Sequence, residues 1–251
     1  MVKNFINKIA NIFGIEVNKI NKKKLDFDKI YQIIFKNKNV VIFDVGANKG
    51  QSIKRFKKIF PSCEIHAFEP INIEYENLNK IFKDDTSIHI NNLALGDKKE
   101  TKELLIAKRT GVSSFYKLNK NTEWLKIRSK QYQVSEENFQ NKTQKTNIIT
   151  LDDYLENKKI KKIDILKIDT QGYEDKVLDG SKKSFQDDLI SSVETEIMFD
   201  NVYEKYLSFS DIEKNLKNNF RFSGIKTYNN NLFEGINFFA EILYINKKLL
   251  K

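Results

Sequence analysis

The sequence predicts an α/β fold built on a doubly wound, Rossmann-like sheet of seven mostly parallel strands with an antiparallel last strand. The stretch VVIFDVGANKG, residues 40–50, reads as a buried strand, a glycine turn and the start of a helix. A second apolar strand, residues 65–68, ends in the acidic residue Glu69. Strand-like and helix-like segments then alternate to the end of the chain, which is typical of a parallel sheet with helices on both faces.

Apolar runs bounded by turn residues predict the strands of this sheet. They fall at residues 40–43, 65–68, 87–92, 163–168, 190–197, 220–226 and 239–245. Two further short strands are predicted at residues 103–107 and 146–151.

Helices are predicted where apolar residues recur at helical spacing or where start and stop signals flank a segment. They fall at residues 27–35, 51–59, 73–82, 151–155, 174–178 and 210–219. Pro61 follows the second of these helices and marks the return of the chain to the sheet. Ser210, followed by Glu213, predicts a capping box for the last helix.

The N-terminal segment 1–38 is predicted to be a helical extension of a main domain that spans residues 39–251. The apolar side chains of residues 5–13 fall on one helical face. Such a face has to be covered, so we expect it to pack on the domain or on a second subunit, which would give a homodimer. A helix lying on a membrane surface is the alternative.

Residues 108–145 differ from the rest of the chain in composition and periodicity. They are polar, lack sustained periodicity and carry several aromatic residues, among them Trp124. A long segment without clear elements inside a compact domain is usually functional or mobile. We interpret it as a lid over the acceptor site, with an irregular insertion as the alternative.

Composition limits the class of protein. The chain of 251 residues has 44 basic and 34 acidic side chains, and its net charge is +10. Such a charge favours an acidic partner, but the lysines are spread along the chain without a basic and aromatic platform, so we expect no nucleic-acid partner. The single cysteine, Cys63, excludes an internal disulfide. No apolar run is long enough to span a membrane and no signal peptide is recognisable, so the cytoplasm is the expected location.

The first two strand ends predict a nucleoside site. Gly46 allows a sharp turn after the first strand, and Gly50 allows close packing of the next helix or access for a ligand. A carboxylate at the tip of the second strand, here Glu69, can accept hydrogen bonds from both hydroxyls of an adenosine ribose.

The loop after the first strand separates two nucleoside cofactors. A dinucleotide site needs bare backbone amides near a pyrophosphate, whereas this loop begins with the carboxylate of Asp44. Asp44 disfavours a diphosphate and suits the ammonium end of S-adenosylmethionine (SAM). An NAD-linked oxidoreductase on the same fold is therefore the weaker alternative, and a basic, non-enzymatic RNA or membrane-surface binder is the other.

Five blocks, in order, resemble those of the FkbM-type family of SAM-dependent methyltransferases. They are FDVGANKG, FEP, LALGD, LKIDTQGYEDKVLDG and VETEIMFDNVY, within residues 40–245. The resemblance implies a class I methyltransferase fold and SAM as cofactor. It also implies O-methylation of a sugar or natural-product hydroxyl, often in polysaccharide biosynthesis. The expected acceptor is a nucleotide-activated sugar, such as a GDP-linked heptose or hexose, or a surface polysaccharide.

Methyl transfer to an alcohol needs a group that takes the proton of the hydroxyl. Both histidines, His66 and His89, are expected to be structural because they fall inside strands predicted to be buried. Asp169 and Glu196 follow or end the fourth and fifth strands, so they are the predicted catalytic bases. Two such carboxylates could instead hold Mg²⁺, but no dense cluster of Asp and Asn follows the fifth strand, so a metal is not favoured.

The remaining site predictions follow from position in the fold. The cofactor is expected to lie near Asp44, Gly46, Asn48, Glu69, Asn92 and Ala94. The acceptor is expected to contact Trp124, Tyr173 and Tyr203.

Overall fold

The computed structural model describes residues 26–36, 38–205, 207–228 and 237–250. In chain order the strands are β1 Val41–Val45, β2 Glu64–Phe68, β3 Ile88–Asn91, β4 Ala94–Leu95, β5 Glu100–Ile106, β6 Lys142–Ile149, β7 Ile165–Ile168, β8 Ser192–Met198, β9 Phe220–Tyr228 and β10 Phe239–Asn246. The α-helices are α1 Phe27–Ile34, α2 Gln51–Ile59, α3 Asn72–Phe82, α4 Glu123–Gln131, α5 Leu151–Lys158, α6 Glu174–Asp179, α7 Lys182–Gln186 and α8 Phe209–Leu216. None of these helices has the length and apolar character needed to cross a membrane.

The main sheet confirms the predicted fold class. Its seven strands are arranged in the order β3-β2-β1-β7-β8-β10-β9. Neighbouring strands are parallel from β3 to β8, whereas β10 runs antiparallel to both β8 and β9. The last strand is therefore antiparallel, as predicted, and it lies between β8 and β9. Strand order reverses between β1 and β7, which is where open α/β sheets bind their ligands.

A second sheet accounts for the two extra strands. Its order is β4-β6-β5, with β5 antiparallel and β4 parallel to β6. Strands β5 and β6 begin three and four residues before the predicted starts at residues 103 and 146. Their first residues are largely polar because one face is solvated, so an apolar run marks only part of each strand.

The predicted capping box of the last helix was wrong by two residues. Ser208, rather than Ser210, caps α8: its side chain accepts a hydrogen bond from the backbone of Asp211, and the Asp211 side chain accepts one from the Ser208 backbone. Aspartate at the third helical position performs the role expected of Glu213. Ser208 and Ser210 offered alternative starts that sequence spacing could not separate.

The prediction of a buried His89 was also wrong. His66 is buried in β2, but β3 is the edge strand of the main sheet and the side chain of His89 is 45% exposed. An edge strand has a neighbour on one side only, so burial of its side chains is incomplete.

Two apolar clusters cover opposite faces of the main sheet. Phe43 and Val45 of β1 belong to one cluster, and Ile42, which points to the other face, belongs to the second. Helix α1 packs into the second cluster through Tyr31 and Phe35. The helix predicted in residues 5–13 lies outside the described residues.

A buried charge network joins α1 and α2 to the sheet. The carboxylate of Glu194, on β8, is 1% exposed. It accepts a hydrogen bond of 2.8 Å from the Tyr31 hydroxyl and one of 3.0 Å from Nη2 of Arg55. Nε of Arg55 donates to Asp28 at 2.7 Å. A buried carboxylate is tolerated only with such partners, so this network fixes the helices against the sheet.

Replacing Arg55 should therefore destabilise the fold. Arg55→Met leaves the buried Glu194 carboxylate without its cation, which costs about 3–5 kcal/mol. Urea denaturation should report this loss in the free energy of unfolding.

Two control variants sharpen the test. Arg221→Met removes an exposed arginine on β9 and should change the free energy of unfolding by less than about 0.5 kcal/mol. The double variant Arg55→Met/Glu194→Gln, which removes the stranded charge, should be more stable than Arg55→Met. Equal stability of Arg55→Met and Arg221→Met would refute a structural role for the pair.

Candidate active site

A cleft of about 530 Å³ lies beyond the carboxyl ends of the central strands. Its floor comes from the turns after β1, β2 and β7 and from the end of β8. One wall comes from the segment 109–128. Charged residues in its lining are Lys49, Arg55, Glu69, Arg109, Arg128, Lys167, Asp169, Glu196 and Glu241.

The turn after β1 brings two strand ends into backbone contact. Gly46 has a φ of +88°, and a Cβ built on it would lie 1.9 Å from the carbonyl oxygen of Asp169. The amides of Gly46 and Ala47 both donate to the carbonyl of Phe68, at 3.0 and 3.1 Å. Only glycine fits this position, because a side chain would both clash and require the left-handed conformation. The carboxyl ends of β1, β2 and β7 therefore converge on one point of the floor.

Glu69 lies where the sequence places it, at the tip of β2. Its Oε2 accepts a hydrogen bond of 2.7 Å from the Asn48 amide, and its Oε1 accepts one of 2.8 Å from the Ile71 amide. Burial raises the pKa of Glu69 to about 7, although these hydrogen bonds oppose the shift. Each oxygen keeps a lone pair, so the ionised carboxylate can accept two further hydrogen bonds.

Asp44 lies below the floor and not in the lining. Its carboxylate is fully buried, and neither oxygen has a hydrogen-bond partner among the described residues. The nearest cation is Nζ of Lys167, 4.0 Å from Oδ1. Burial raises the pKa of Asp44, and the charge of Lys167 opposes that shift. In this structure, the Asp44 carboxylate does not contact the cleft directly.

The two predicted bases are held together by one side chain. The amide Nε2 of Gln171 donates to Oδ1 of Asp169 at 2.9 Å and to Oε2 of Glu196 at 2.7 Å. Both carboxylates line the cleft. Burial and the neighbouring charges of Asp169 and Glu174 raise the pKa of Glu196 well above its usual range. A carboxylate whose pKa is raised in this way is a stronger base when it is ionised, so the pair is a candidate acceptor for a hydroxyl proton.

Lys167 supplies positive charge beneath this pair. Its Nζ lies 3.4 Å from Oδ2 of Asp169. Burial disfavours the charged form of Lys167, but the carboxylates of Asp169, Asp44 and Glu194 outweigh this effect and raise its pKa. A buried lysine that stays charged offsets part of the repulsion between the acidic groups of the floor.

The wall segment carries a helix that the sequence did not reveal. Helix α4 begins after Thr122, whose side chain accepts a hydrogen bond from the Leu125 amide. Trp124, the first of the predicted acceptor residues, is buried on this helix and reaches the cleft. It packs edge-on against Phe139 and parallel to Phe238.

The two predicted tyrosines occupy different places. Tyr173 lines the cleft, where its ring lies 4.7 Å from that of Phe115. Tyr203 is buried beneath the cleft, and its hydroxyl is 2.9 Å from Oε1 of Gln171 and 3.1 Å from the carbonyl of Val112. Tyr203 therefore supports the amide that holds the two carboxylates, and it is outside the cleft lining.

The predicted adenine neighbours also differ in position. Ala94 lines the cleft, next to Leu95. Asn92 lies outside the lining, and its amide donates to the carbonyls of Glu69 and Pro70 at 3.1 and 3.2 Å. It therefore holds the loop that follows β2 in place.

Two arginines of the wall are the main residues that sequence reasoning missed. Arg109 and Arg128 both line the cleft, and within the described ranges neither forms an ion pair with a carboxylate. Nη1 of Arg128 donates to Gln131 at 2.7 Å, while its Nε is buried without a partner. Burial and the nearby charge of Arg109 lower the pKa of Arg128. The irregular segment 108–145 offered no spacing rule that would select them.

The floor fits the nucleoside predicted from the sequence. Glu69 has free acceptor capacity for ribose hydroxyls, and Phe68, Ile71 and Leu95 give an apolar surface beside it. The turn at Gly46 leaves backbone close to the cleft, and Asn48 forms part of the lining with a φ of +45°. These groups would hold the cofactor, whose contribution to the chemistry is an activated methyl group.

A family comparison agrees with this interpretation of the site. The model of the methyltransferase FkbM domain matches residues 44–222, which is more than half of the chain. The matched segment contains the floor of the cleft and the wall segment. No curated protein sequence matches the chain significantly.

Solved structures with a similar fold include three methyltransferases. The plantazolicin methyltransferase BpumL in complex with SAH is 13% identical, with a TM-score of 0.43 over 88% of this chain and 81% of that one. A TehB-like SAM-dependent methyltransferase from Corynebacterium glutamicum is 7% identical, with a TM-score of 0.41 over 97% of each chain. Precorrin-6y C5,15-methyltransferase from Geobacter metallireducens is 7% identical, with a TM-score of 0.43 over 91% and 92%.

The raised pKa of Glu69 predicts a pH dependence of cofactor binding. Ribose hydroxyls donate to the ionised carboxylate, so protonation of Glu69 near pH 7 should weaken SAM binding as pH falls. Below that pKa, the dissociation constant should rise about tenfold per pH unit. Calorimetric titration with SAM from about pH 8 to about pH 5.5 measures this dissociation constant.

Glu69→Gln is the matched control. This variant cannot titrate, so its SAM affinity should be low at every pH and should lack the change near pH 7. A wild-type affinity that is constant over the same range, together with wild-type affinity of Glu69→Gln, would exclude Glu69 as the ribose ligand.

Proposed function

The chain belongs to the FkbM methyltransferase family and its cofactor is SAM; on that basis we propose that it is an O-methyltransferase acting on a sugar hydroxyl. The proposed acceptor is a nucleotide-activated sugar, with a sugar of an assembled surface glycan as the second possibility. The observation that carries the choice of an oxygen acceptor is the carboxylate pair Asp169 and Glu196 on the cleft floor.

The proposed reaction is an in-line displacement. The acceptor oxygen forms a bond to the methyl carbon, the bond between that carbon and sulfur breaks, and the products are a methyl ether and S-adenosylhomocysteine. The hydroxyl proton passes to the carboxylate pair, and the sulfonium loses its positive charge. Gln171 supports this role because its amide holds both carboxylates toward the cleft. Much of the acceleration then comes from holding the oxygen on the reaction axis.

The charge distribution of the cleft supports an anionic acceptor. The floor is acidic, whereas Arg109 and Arg128 on the wall lack carboxylate partners within the described ranges. Arginine binds phosphate oxygens through paired N–H groups, and the Arg128 side chain lines the cleft without a carboxylate partner among the described residues. We place the diphosphate of a nucleotide sugar at the wall and the sugar hydroxyl at the floor.

The first test measures release of S-adenosylhomocysteine from SAM with a panel of GDP- and dTDP-linked hexoses and heptoses. Release with one member, and none with the matching free sugar, is the expected result. Release with free sugars alone would contradict the anionic acceptor. If SAM binds and no nucleotide sugar is methylated, the proposed acceptor class is wrong and an assembled glycan is tested next.

Arg128→Gln tests the anion site separately. Loss of a charged hydrogen bond should raise KM for the nucleotide sugar about 10- to 100-fold, while the dissociation constant for SAM stays unchanged. The matched control is Arg221→Gln, on the exposed part of β9. A weaker SAM affinity with an unchanged KM would show that Arg128 holds the carboxylate of the cofactor instead.

Asp169→Asn and Glu196→Gln test the base. Each should lower kcat about 10²- to 10⁴-fold, because an amide cannot accept the hydroxyl proton, and each should spare SAM binding. Asp200→Asn, which alters a carboxylate just beyond β8 and outside the cleft lining, serves as the control. Full turnover in both Asp169→Asn and Glu196→Gln would remove the base assignment.

A further inference from the structure

We propose that Glu64, His66 and His89 bind a divalent transition-metal ion, with Zn²⁺ as the expected ion. The chain has only two histidines, and both lie in this cluster. The site is on β2 and β3, toward the amino end of β2, and it is separate from the cleft beyond the carboxyl ends of the strands. The proposal does not depend on the methyl-transfer reaction.

Strand geometry brings the three side chains together. Glu64 and His66 are two residues apart on β2, so they project from the same face. His89 on β3 lies directly opposite His66 in the parallel register. Their rings lie 4.6 Å apart, centroid to centroid. The arrangement thus depends on the backbone of two paired strands and not on a loop.

The distances match those of a metal site. Oε1 of Glu64 is 3.1 Å from Nε2 of His66 and 3.3 Å from Nε2 of His89. One ligand atom from each residue lies within 4.8 Å of the others. In a tetrahedral zinc site with bonds of about 2.0–2.1 Å, neighbouring ligand atoms are about 3.3 Å apart. Two of the three separations are therefore close to those that an ion would impose.

A hydrogen-bond chain favours the tautomer of His66 that carries its proton on Nδ1. The amide of Asn91 donates to the carbonyls of Ala67 and His89, both at 3.1 Å, so Oδ1 is its free acceptor. The Tyr154 hydroxyl donates to that Oδ1 at 3.2 Å. Its oxygen then accepts the 2.9 Å hydrogen bond from Nδ1 of His66. In that tautomer, a neutral His66 has its lone pair on Nε2, facing Glu64.

This arrangement places two acceptors against each other. In this tautomer a lone pair of His66 faces a carboxylate oxygen at 3.1 Å, and a metal ion bound by both atoms would relieve their repulsion. The Tyr154 oxygen takes the place of the carboxylate, carbonyl or water that usually orients a metal-bound histidine through its other ring nitrogen. Exposed side chains at Glu64 (48%) and His89 (45%) leave an entry path and room for a water ligand.

The test is direct metal binding by the full chain. After treatment with a chelator, the wild type is dialysed against Zn²⁺, and bound metal is measured by atomic absorption. We expect one Zn²⁺ per chain, and we expect Co²⁺ at the same site to give the visible absorption of tetrahedral coordination. Absence of bound Zn²⁺ in the wild type would overturn the proposal.

Variants assign the binding to these residues. His89→Gln and Glu64→Gln should abolish stoichiometric binding, and Tyr154→Phe should weaken it about 10- to 100-fold by releasing the outer hydrogen bond. Glu76→Gln, an exposed carboxylate on α3, is the control and should bind as the wild type does. Equal Zn²⁺ affinity of His89→Gln and wild type would overturn the assignment.

A stability measurement distinguishes loss of metal binding from a folding defect in the variants. The replaced side chains of His89 and Glu64 are about half exposed, so without metal these variants should have the urea midpoint of the wild type. Zn²⁺ should raise the midpoint of the wild type and not that of His89→Gln. A similar rise in both proteins would place the ion elsewhere and refute the site.

Discussion

The backbone contact between Gly46 and Asp169 is the constraint on which the cleft depends. The carbonyl of Asp169 occupies the space where a Cβ of residue 46 would lie, and the amide of Asp169 donates to the carbonyl of Val45 at 2.9 Å. The turns after β1 and β7 are thereby joined without an intervening side chain. Because strand order reverses at this pair, the same contact fixes where the helices diverge and the cleft opens.

The floor is unusual in being supported by charge. Asp44, Lys167 and Glu194 are neighbours in the registers of β1, β7 and β8, so they form one buried row across the sheet. An apolar row would pack without a desolvation cost. The row of charges instead lies under the cleft, where the charge of Lys167 opposes the rise in the pKa of Glu196. Arg55 completes the row from α2, which links the stability of the sheet to the charge of the site.

Much of the fold was evident from the sequence because apolar runs and glycine turns are local signals. The strand ends at Glu69 and Asp169 were located correctly since each follows a buried run directly. Side chains whose importance comes from long-range contacts were missed. Gln171 was not among the predicted site residues, and Arg128 lies in a segment whose helix starts at a threonine cap within polar sequence. His89 was misplaced because an edge strand has the same composition as a buried one.

Choosing SAM over a dinucleotide rested on the charge of Asp44, and membership of a methyltransferase family agrees with that choice. The position of the Asp44 carboxylate differs from the expected one. The carboxylate is buried beneath the turn, 4.0 Å from Nζ of Lys167, and does not line the cleft. Sequence position places Asp44 at the end of the strand, but only the packing of the turn shows that its side chain faces away from the cleft.

Hydrogen bonds of Gln171 link the carboxylate pair on the floor to the wall of the cleft. Its side chain holds both carboxylates, while its backbone carbonyl accepts a hydrogen bond of 2.7 Å from Ser114 of the wall segment. Tyr203 connects the same amide to Val112 of that segment. Withdrawal of the wall would stretch these bonds and disturb the carboxylate pair. Under the proposed reaction, methylation of water in an open cleft would be disfavoured, because these hydrogen bonds hold the proposed base only when the wall is in place.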